Sequence, residues 1–263
     1  MGDMRIATFN VNSLKARLPI VESFLKSDNA PDILCLQETK CQDENFPVDF
    51  FAELGYRCAY SGMKSYNGVA VISRGAPGVI TCGFCDGADT EQDRARLIIT
   101  RFEDLSVVCT YVPQGKSMDS PDFLYKLRFF ERLRALFENN FSDSDRLLWT
   151  GDINVAKEDI DVTHPDNKRD HVCFCQEVKD ALAQVTSWGF VDVFRKHRPN
   201  PGEFSFWDYR IKGALERNIG WRIDHLLATP ALSNLSRDAY VARELREMER
   251  PSDHTAVVGV FGL

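Results

Sequence analysis

RLLWTGD, residues 146–152, is a short apolar run that ends in a glycine and a carboxylate. Its length suits a strand, and its apolar residues are continuous rather than alternating, so both faces of that strand should be covered. Similar runs recur on either side: RIATFN (5–10), DILCLQ (32–37), GVAVIS (68–73), RLIITRF (96–102), LSVVCTY (105–111), WRIDHLLA (221–228) and TAVVGVF (255–261). Helical patterns lie between them. The clearest opens with Ser120-Pro121-Asp122, a cap followed by proline in the first turn, and places Phe123, Leu127, Phe130, Leu133 and Phe137 on one face. Shorter stripes occur at Leu18 to Leu25 and Val178 to Val185. Direct strand-to-strand succession mixes with strand-helix-strand succession, which predicts a layered α/β domain with mixed sheets rather than a dinucleotide-binding fold. Neither GxGxxG nor GxxxxGK[ST] occurs, so no nucleotide-cradling loop is expected.

The 263 residues are 44% hydrophobic, enough for a substantial core, and the charged 27% are spread without a long like-charge block, linker or repeat. Residues 1–263 are therefore expected to form a single domain. The first ten residues lack the pattern of a secretory signal, and no apolar stretch reaches the ~18 residues a membrane helix needs. The expectation is a soluble protein, cytoplasmic (nucleoid-associated) or nuclear, not secreted, with no membrane partner. Of the eight cysteines, Cys35 and Cys109 lie inside apolar runs and read as small buried hydrophobes. Cys82 with Cys85 and Cys173 with Cys175 have close spacings, but no His or Cys stands at a zinc-finger distance, leaving a metal or disulfide as the minority reading. The net charge of -7 argues against nucleic acid only at first sight. A carboxylate cluster that holds a cation accounts for acidic residues, and steering depends on the field at the cleft.

Polar residues stand at the ends of the apolar runs: Asn10 and Asn12, then Gln37, Glu38 and Lys40, Tyr111, Asp152 and Asn154, Asp224, and Asp253 with His254. Any single Asp-x-Asn after a strand is more often a turn than a site. Together, carboxylates, amides, a phenol and an imidazole at six strand ends are the inventory for holding a hard cation, activating water and gripping a phosphate. Asp224 is the most telling alone, since a carboxylate inside an apolar strand needs a partner, and His254 is the natural one.

The segments TFNVNSLKAR, LQETK, YVPQG, GDINVA, WRIDHLL and SDH, in this order along nearly the whole chain, resemble the exonuclease III family of apurinic/apyrimidinic endonucleases within the endonuclease/exonuclease/phosphatase superfamily. That resemblance implies a four-layer α/β sandwich, two mixed β-sheets packed face to face and flanked by helices. It implies hydrolysis of the phosphodiester 5′ to abasic sites in double-stranded DNA, leaving a 3′-OH and a 5′-deoxyribose phosphate, with 3′-5′ exonuclease and 3′-repair activities at the same centre. It also implies a monomer that uses Mg²⁺, with Mn²⁺ able to substitute. Residue by residue, Glu38 matches the principal metal carboxylate, with Asn10 and Asp253 completing the site. Asp152 matches the residue that aligns or deprotonates the attacking water, and Asn154 its neighbour. His254, oriented by Asp224, and Tyr111 match the groups beside the scissile phosphate. Phe206, Trp221 and Ile223 match the pocket for the extruded sugar. Lys40, Gln114, Trp207, Arg210 and Asn218 are the other expected substrate contacts. Asn12 is Asp in some relatives, which favours one metal ion.

Lysines and arginines near these motifs, Arg17, Lys64, Lys116, Lys212, Arg217 and Arg222, are further candidates for phosphate contacts. Two other readings are a phosphodiesterase of the same superfamily acting on RNA or small phosphoesters, and a noncatalytic DNA-binding or thiol-redox module. The presence of Glu38, Asp152, Asn154, Asp224, Asp253 and His254 speaks against the last.

Overall fold

A computed structural model describes residues 2–263. The first four strands are β1 (Asp3–Asn10), β2 (Ile33–Gln37), β3 (Arg57–Ser61) and β4 (Val69–Ser73). The next six are β5 (Val79–Cys82), β6 (Leu97–Arg101), β7 (Ser106–Tyr111), β8 (Leu147–Asp152), β9 (Val191–Asp192) and β10 (Asp224–Ala228). They form one sheet, in the order β5-β6-β7-β8-β10-β9. The chain then returns to the first sheet through β11 (Ser236–Val241) and β12 (Val257–Gly262), completing the order β11-β12-β1-β2-β4-β3. Each sheet holds one parallel pair, β1–β2 and β7–β8, among antiparallel neighbours. Both sheets are thus mixed, as expected.

Three apolar clusters separate four layers. Ile6, Cys35, Val71, Val107, Cys109, Leu148 and Leu226 pack between the sheets. Phe9, Val21, Leu34 and Ile72 pack between the first sheet and the helix Leu14–Lys26. The third lies under the helices Pro121–Asn140 and Gln176–Thr186, where Phe130, Leu133 and Phe137 meet Leu147 and Trp149. Successive residues of β8 therefore face different layers, Leu148 inward and Leu147 with Trp149 outward, which is why its sequence is apolar without alternation. Each such side chain stabilises the fold by roughly 1.5–3 kcal/mol through burial. The Trp149 indole N–H also donates to Thr110 Oγ1 at 2.9 Å, so its polar edge is satisfied. Ser120 caps the helix Pro121–Asn140 as expected, its hydroxyl accepting from the Phe123 N–H. Among the described residues no helix is long and apolar enough to cross a membrane, and all eight cysteines are free.

This topology gathers the polar strand ends at one edge of the sandwich. β1, β2, β7 and β8 all finish there, with Asn10 level with Gln37 and Tyr111 level with Asp152. β10 runs the opposite way and starts there, with Asp224 directly across from Asp152. β12 is antiparallel to β1, so the preceding Asp253 and His254 arrive at the same edge.

Gly151 is what allows β8 to deliver Asp152. It has φ +140°, and a Cβ there would stand 1.9 Å from the Thr110 carbonyl oxygen on the neighbouring strand. Neither strand can retreat without breaking the ladder that sets the Tyr111–Asp152 register. G151A is expected to lower unfolding stability by about 2–4 kcal/mol through backbone strain and overpacking. Urea denaturation measures this; an unchanged midpoint would show that the strand pair tolerates a side chain here.

Candidate active site

Asn10 sits wholly buried where the two sheets face each other. Its amide donates one hydrogen to Glu38 Oε1 at 2.9 Å and the other to Asp152 Oδ2 at 2.8 Å, tying a carboxylate of each sheet to one group. Its own oxygen accepts the Asn12 N–H at 3.0 Å. Asp152 Oδ1 in turn accepts the Asn154 N–H at 3.0 Å, and the Asn154 amide donates to the Val112 carbonyl at 2.9 Å. Glu38 (φ +49°), Lys40 (φ +50°) and Asn154 (φ +55°) all adopt the left-handed conformation that side chains disfavour. Such strain persists only where surrounding contacts over-determine it, and it collects at functional sites.

The expected carboxylate–imidazole pair is present. His254 Nδ1 lies 2.8 Å from Asp224 Oδ2, and its Nε2 lies 3.8 Å from Asp152 Oδ2. Burial works against a charge on the ring, but Asp224 and Asp152 on either side outweigh it and raise the His254 pKa to about 10. The two carboxylates thus favour the imidazolium form of the ring, whose Nε2 faces Asp152. For Asp152, burial dominates and raises the carboxyl well above its ordinary range, although His254 opposes the shift. Glu38 is held low: its burial is outweighed by the Asn10 hydrogen bond and the Lys40 ammonium, 3.0 Å from Oε2. The Tyr111 phenol is raised by burial and by Glu38 and Asp152, so it stays a neutral donor. Arg96 braces it, its guanidinium 4.5 Å from the ring centre and Nη1 donating to the Tyr111 carbonyl at 3.1 Å.

Glu38, Tyr111, Gln114, Asp152, Asn154, Asp253 and His254 line one cleft of about 370 Å³, together with Phe206, Trp221, Ile223 and Arg210. Phe206 packs on the His254 ring at 4.8 Å between centroids and is bridged through its backbone to both Trp221 and His254. Lys40 faces the adjoining groove together with Lys15 and Lys64. Arg210 is exposed and paired with Asp208.

Two expected substrate contacts are elsewhere. Trp207 is buried behind the wall among Phe204 and Ala214, its indole N–H donating to Asn218 Oδ1 at 3.2 Å. Asn218 spends its amide on the Gly202 carbonyl at 2.8 Å. Both shape the loop behind the cleft. Arg222 cannot reach a phosphate, because it is fully buried and bridges Asp161 at 2.7 Å and Asp192 at 2.8 Å. Arg17 is occupied as a strut, donating to the Asn12 and Pro251 carbonyls and to the Tyr209 hydroxyl.

The cleft also contains Lys168 and His171, which no sequence motif marked, and Cys173, noted only for its spacing from Cys175. Behind it, Lys126 is fully buried, with no carboxylate partner among the described residues, and its ammonium donates to the carbonyls of Gln114 (3.1 Å), Asn154 (2.8 Å) and Val172 (2.7 Å). It pins three cleft-forming loops together. The available signal was a charged side chain within the apolar stripe of its helix.

Asp152, Asp224 and His254 have ligand atoms within 4.8 Å of one another, a spacing that fits a metal. Within that trio His254 Nδ1 and Asp224 Oδ2 are already hydrogen-bonded to each other at 2.8 Å, so an ion there would have to break the pair. Glu38 fits a hard cation better. It is partly open to the cleft, has oxygen donors beside it, and already draws the Lys40 ammonium to its edge.

Residues 7–254 match the Endonuclease/Exonuclease/phosphatase family. The chain is 34% identical to exodeoxyribonuclease III of Haemophilus influenzae, over 98% of this chain and 100% of that protein. An AP endonuclease structure from Archaeoglobus fulgidus is similar with a TM-score of 0.95 at 43% identity, covering 99% of this chain and 100% of that one. A 3′-5′ exonuclease from Neisseria meningitidis gives 0.94 at 35% identity, covering the same shares.

The raised His254 pKa has a consequence for stability. The group's contribution is fully present below its ordinary value of 6.5 and is lost as pH rises through about 10. With chelator present, the unfolding free energy of the wild type should therefore fall between those pH values relative to H254Q. Parallel stability curves for the two proteins would refute the charged ring.

Proposed function

The chain belongs to the Endonuclease/Exonuclease/phosphatase family, and from that premise we propose that it is a DNA repair nuclease that hydrolyses the phosphodiester 5′ to abasic sites in duplex DNA. Exonuclease and 3′-repair activities share the same centre, in keeping with the 3′-5′ exonuclease and the 3′ phosphatase among its structural relatives. The observation that carries this reading is the juxtaposition of the Asp152–His254–Asp224 array with an apolar wall. Phe206 touches the imidazole itself, and Trp221 and Ile223 extend from it.

Asp152, with its proton affinity raised by burial, receives the proton of the attacking water. Asn10 and the Asn154 N–H fix the orientation of that carboxylate. The water oxygen bonds to phosphorus as the bond to the 3′ oxygen breaks, leaving a 5′-phosphate on the abasic residue. The departing 3′ oxygen takes a proton from solvent. His254 presents an N–H⁺ and Tyr111 a phenolic O–H to the nonbridging oxygens, where charge grows in the transition state. Glu38 would hold a divalent cation, Mg²⁺ by the hardness of its donors, with Asp253 and Asn10 alongside. When bound, the ion supplies positive charge against the phosphate and the leaving oxygen.

Selection of the lesion follows from size. A residue without a base loses little stacking when extruded, and its bare sugar enters a niche that a full nucleotide would overfill. Lys15, Lys40 and Lys64 in the adjoining groove, and Arg210 at the rim, supply backbone contacts despite the acidic total.

A labelled duplex carrying one abasic analogue tests the reading. The expected result is a single cut 5′ to the lesion that chelator abolishes. D152N should slow it by ~10²- to 10⁴-fold, the worth of a positioned proton acceptor. Cleavage that persists at the wild-type rate in D152N or in chelator would refute the assignment.

A further inference from the structure

One wall of the cleft comes from the loop before the helix Gln176–Thr186 and carries His171. Its ring packs against Trp221 with centroids 4.8 Å apart. Its Nδ1 accepts the Cys173 backbone N–H at 3.1 Å, which places the proton of the neutral ring on Nε2. Burial, followed by the positive charges of Lys168, Lys126 and Arg210, lowers its pKa to about 4, so the ring stays neutral at physiological pH. Among the described residues Nε2 has no hydrogen-bond partner. Beside the charged Lys168, which lies over the same Trp221 ring, the wall thus offers one unused, uncharged N–H to whatever fills the cleft.

The position of this donor suggests its acceptor. His254, Phe206, Trp221 and His171 follow one another in ring or backbone contact, so the wall leads from the imidazole beside the phosphate to His171. A deoxyribose extruded from the duplex is held by the esters on O3′ and O5′ at one edge and enters with C1′ leading. In an abasic residue C1′ bears a hydroxyl or, in the open form, an aldehyde oxygen. Both accept a hydrogen bond.

We propose that His171 is a specificity-determining residue whose Nε2–H donates to the C1′ oxygen of the abasic sugar, so that the niche recognises this oxygen as well as the missing base. The inference rests on the abasic-site reading above. It gives the cleft a positive criterion for the lesion beyond the steric one, because a site built around a hydrogen bond disfavours an analogue that cannot make it.

Two duplexes separate the possibilities, one with a natural abasic site and one with its tetrahydrofuran analogue, whose C1′ carries only hydrogen. H171F retains the stacked ring and removes the donor. The expected result is a fall of roughly 3- to 10-fold in kcat/KM on the natural lesion, the worth of one neutral hydrogen bond, with the analogue unaffected. H171Q returns an N–H at similar reach and should restore most of the discrimination; it also serves if H171F folds poorly. Equal losses on both substrates would reduce His171 to a wall component and overturn the inference, as would no loss on either. If the wild type incises neither duplex, the abasic-site reading fails and the inference falls with it.

Discussion

The site depends on one buried amide. Asn10 joins Glu38, beyond the end of β2, to Asp152, at the end of β8, with both hydrogens of a single side chain. Because the two carboxylates belong to different sheets, this clamp holds only while the sheets keep their packing. The wholly buried side chains of Leu148, Leu226 and Cys109 between the sheets are therefore part of the site's precision. A dense interior transmits misfit, so small shifts in that layer reach the reacting groups.

Charge is arranged around this clamp to keep buried ions paired. Asp224 carries no obvious partner except His254, and His254 is charged because Asp224 and Asp152 surround it. Among the described residues, one oxygen of Asp224 remains without a hydrogen-bond partner. Leaving a buried carboxylate oxygen unpaired is costly, and here the imidazolium offsets that cost. The same proximity that stabilises the ring also leaves an acidic proton beside Asp152, where a phosphate can displace the long 3.8 Å contact. Lys126 follows a different rule: a buried ammonium satisfied by three backbone carbonyls holds loops rather than balancing a carboxylate.

The sequence revealed the interior of the fold far better than its margins. The eight strands legible as apolar runs occupy interior positions or the neighbours of edges, and the four unread strands, β3, β5, β9 and β11, are the outer strands of the two sheets. Edge strands lie partly exposed, so RCAYS and SRDAYV carry mixed side chains that no period distinguishes from loop. Within WRIDHLLA, regular pairing starts only at Asp224, since Trp221 makes isolated bridges to Val162 and Phe206. Site residues on strand ends were readable because a polar group after an apolar run breaks the pattern. His171 and Cys173 follow no such run. Trp207 and Asn218 lie outside the cleft lining, which the sequence hides for the opposite reason: in an aromatic-rich loop, composition does not separate the ring that faces the cleft from the one that packs behind it. Arg222 likewise belongs to a buried ion network that only tertiary structure assembles.

The acidic chain and the proposed DNA substrate are reconciled by segregation, with carboxylates concentrated around the proposed ion site and lysines in the groove beside it. The position of the proposed ion is the point on which the mechanism turns, because an ion at Glu38 would leave the His254–Asp224 pair intact, whereas one among Asp152, Asp224 and His254 would replace the proton between them. Anomalous scattering from a crystal grown with Mn²⁺ decides between them. The expected peak lies against the Glu38 carboxylate with the His254–Asp224 hydrogen bond intact; a peak bonded to His254 between the two aspartates would contradict the account.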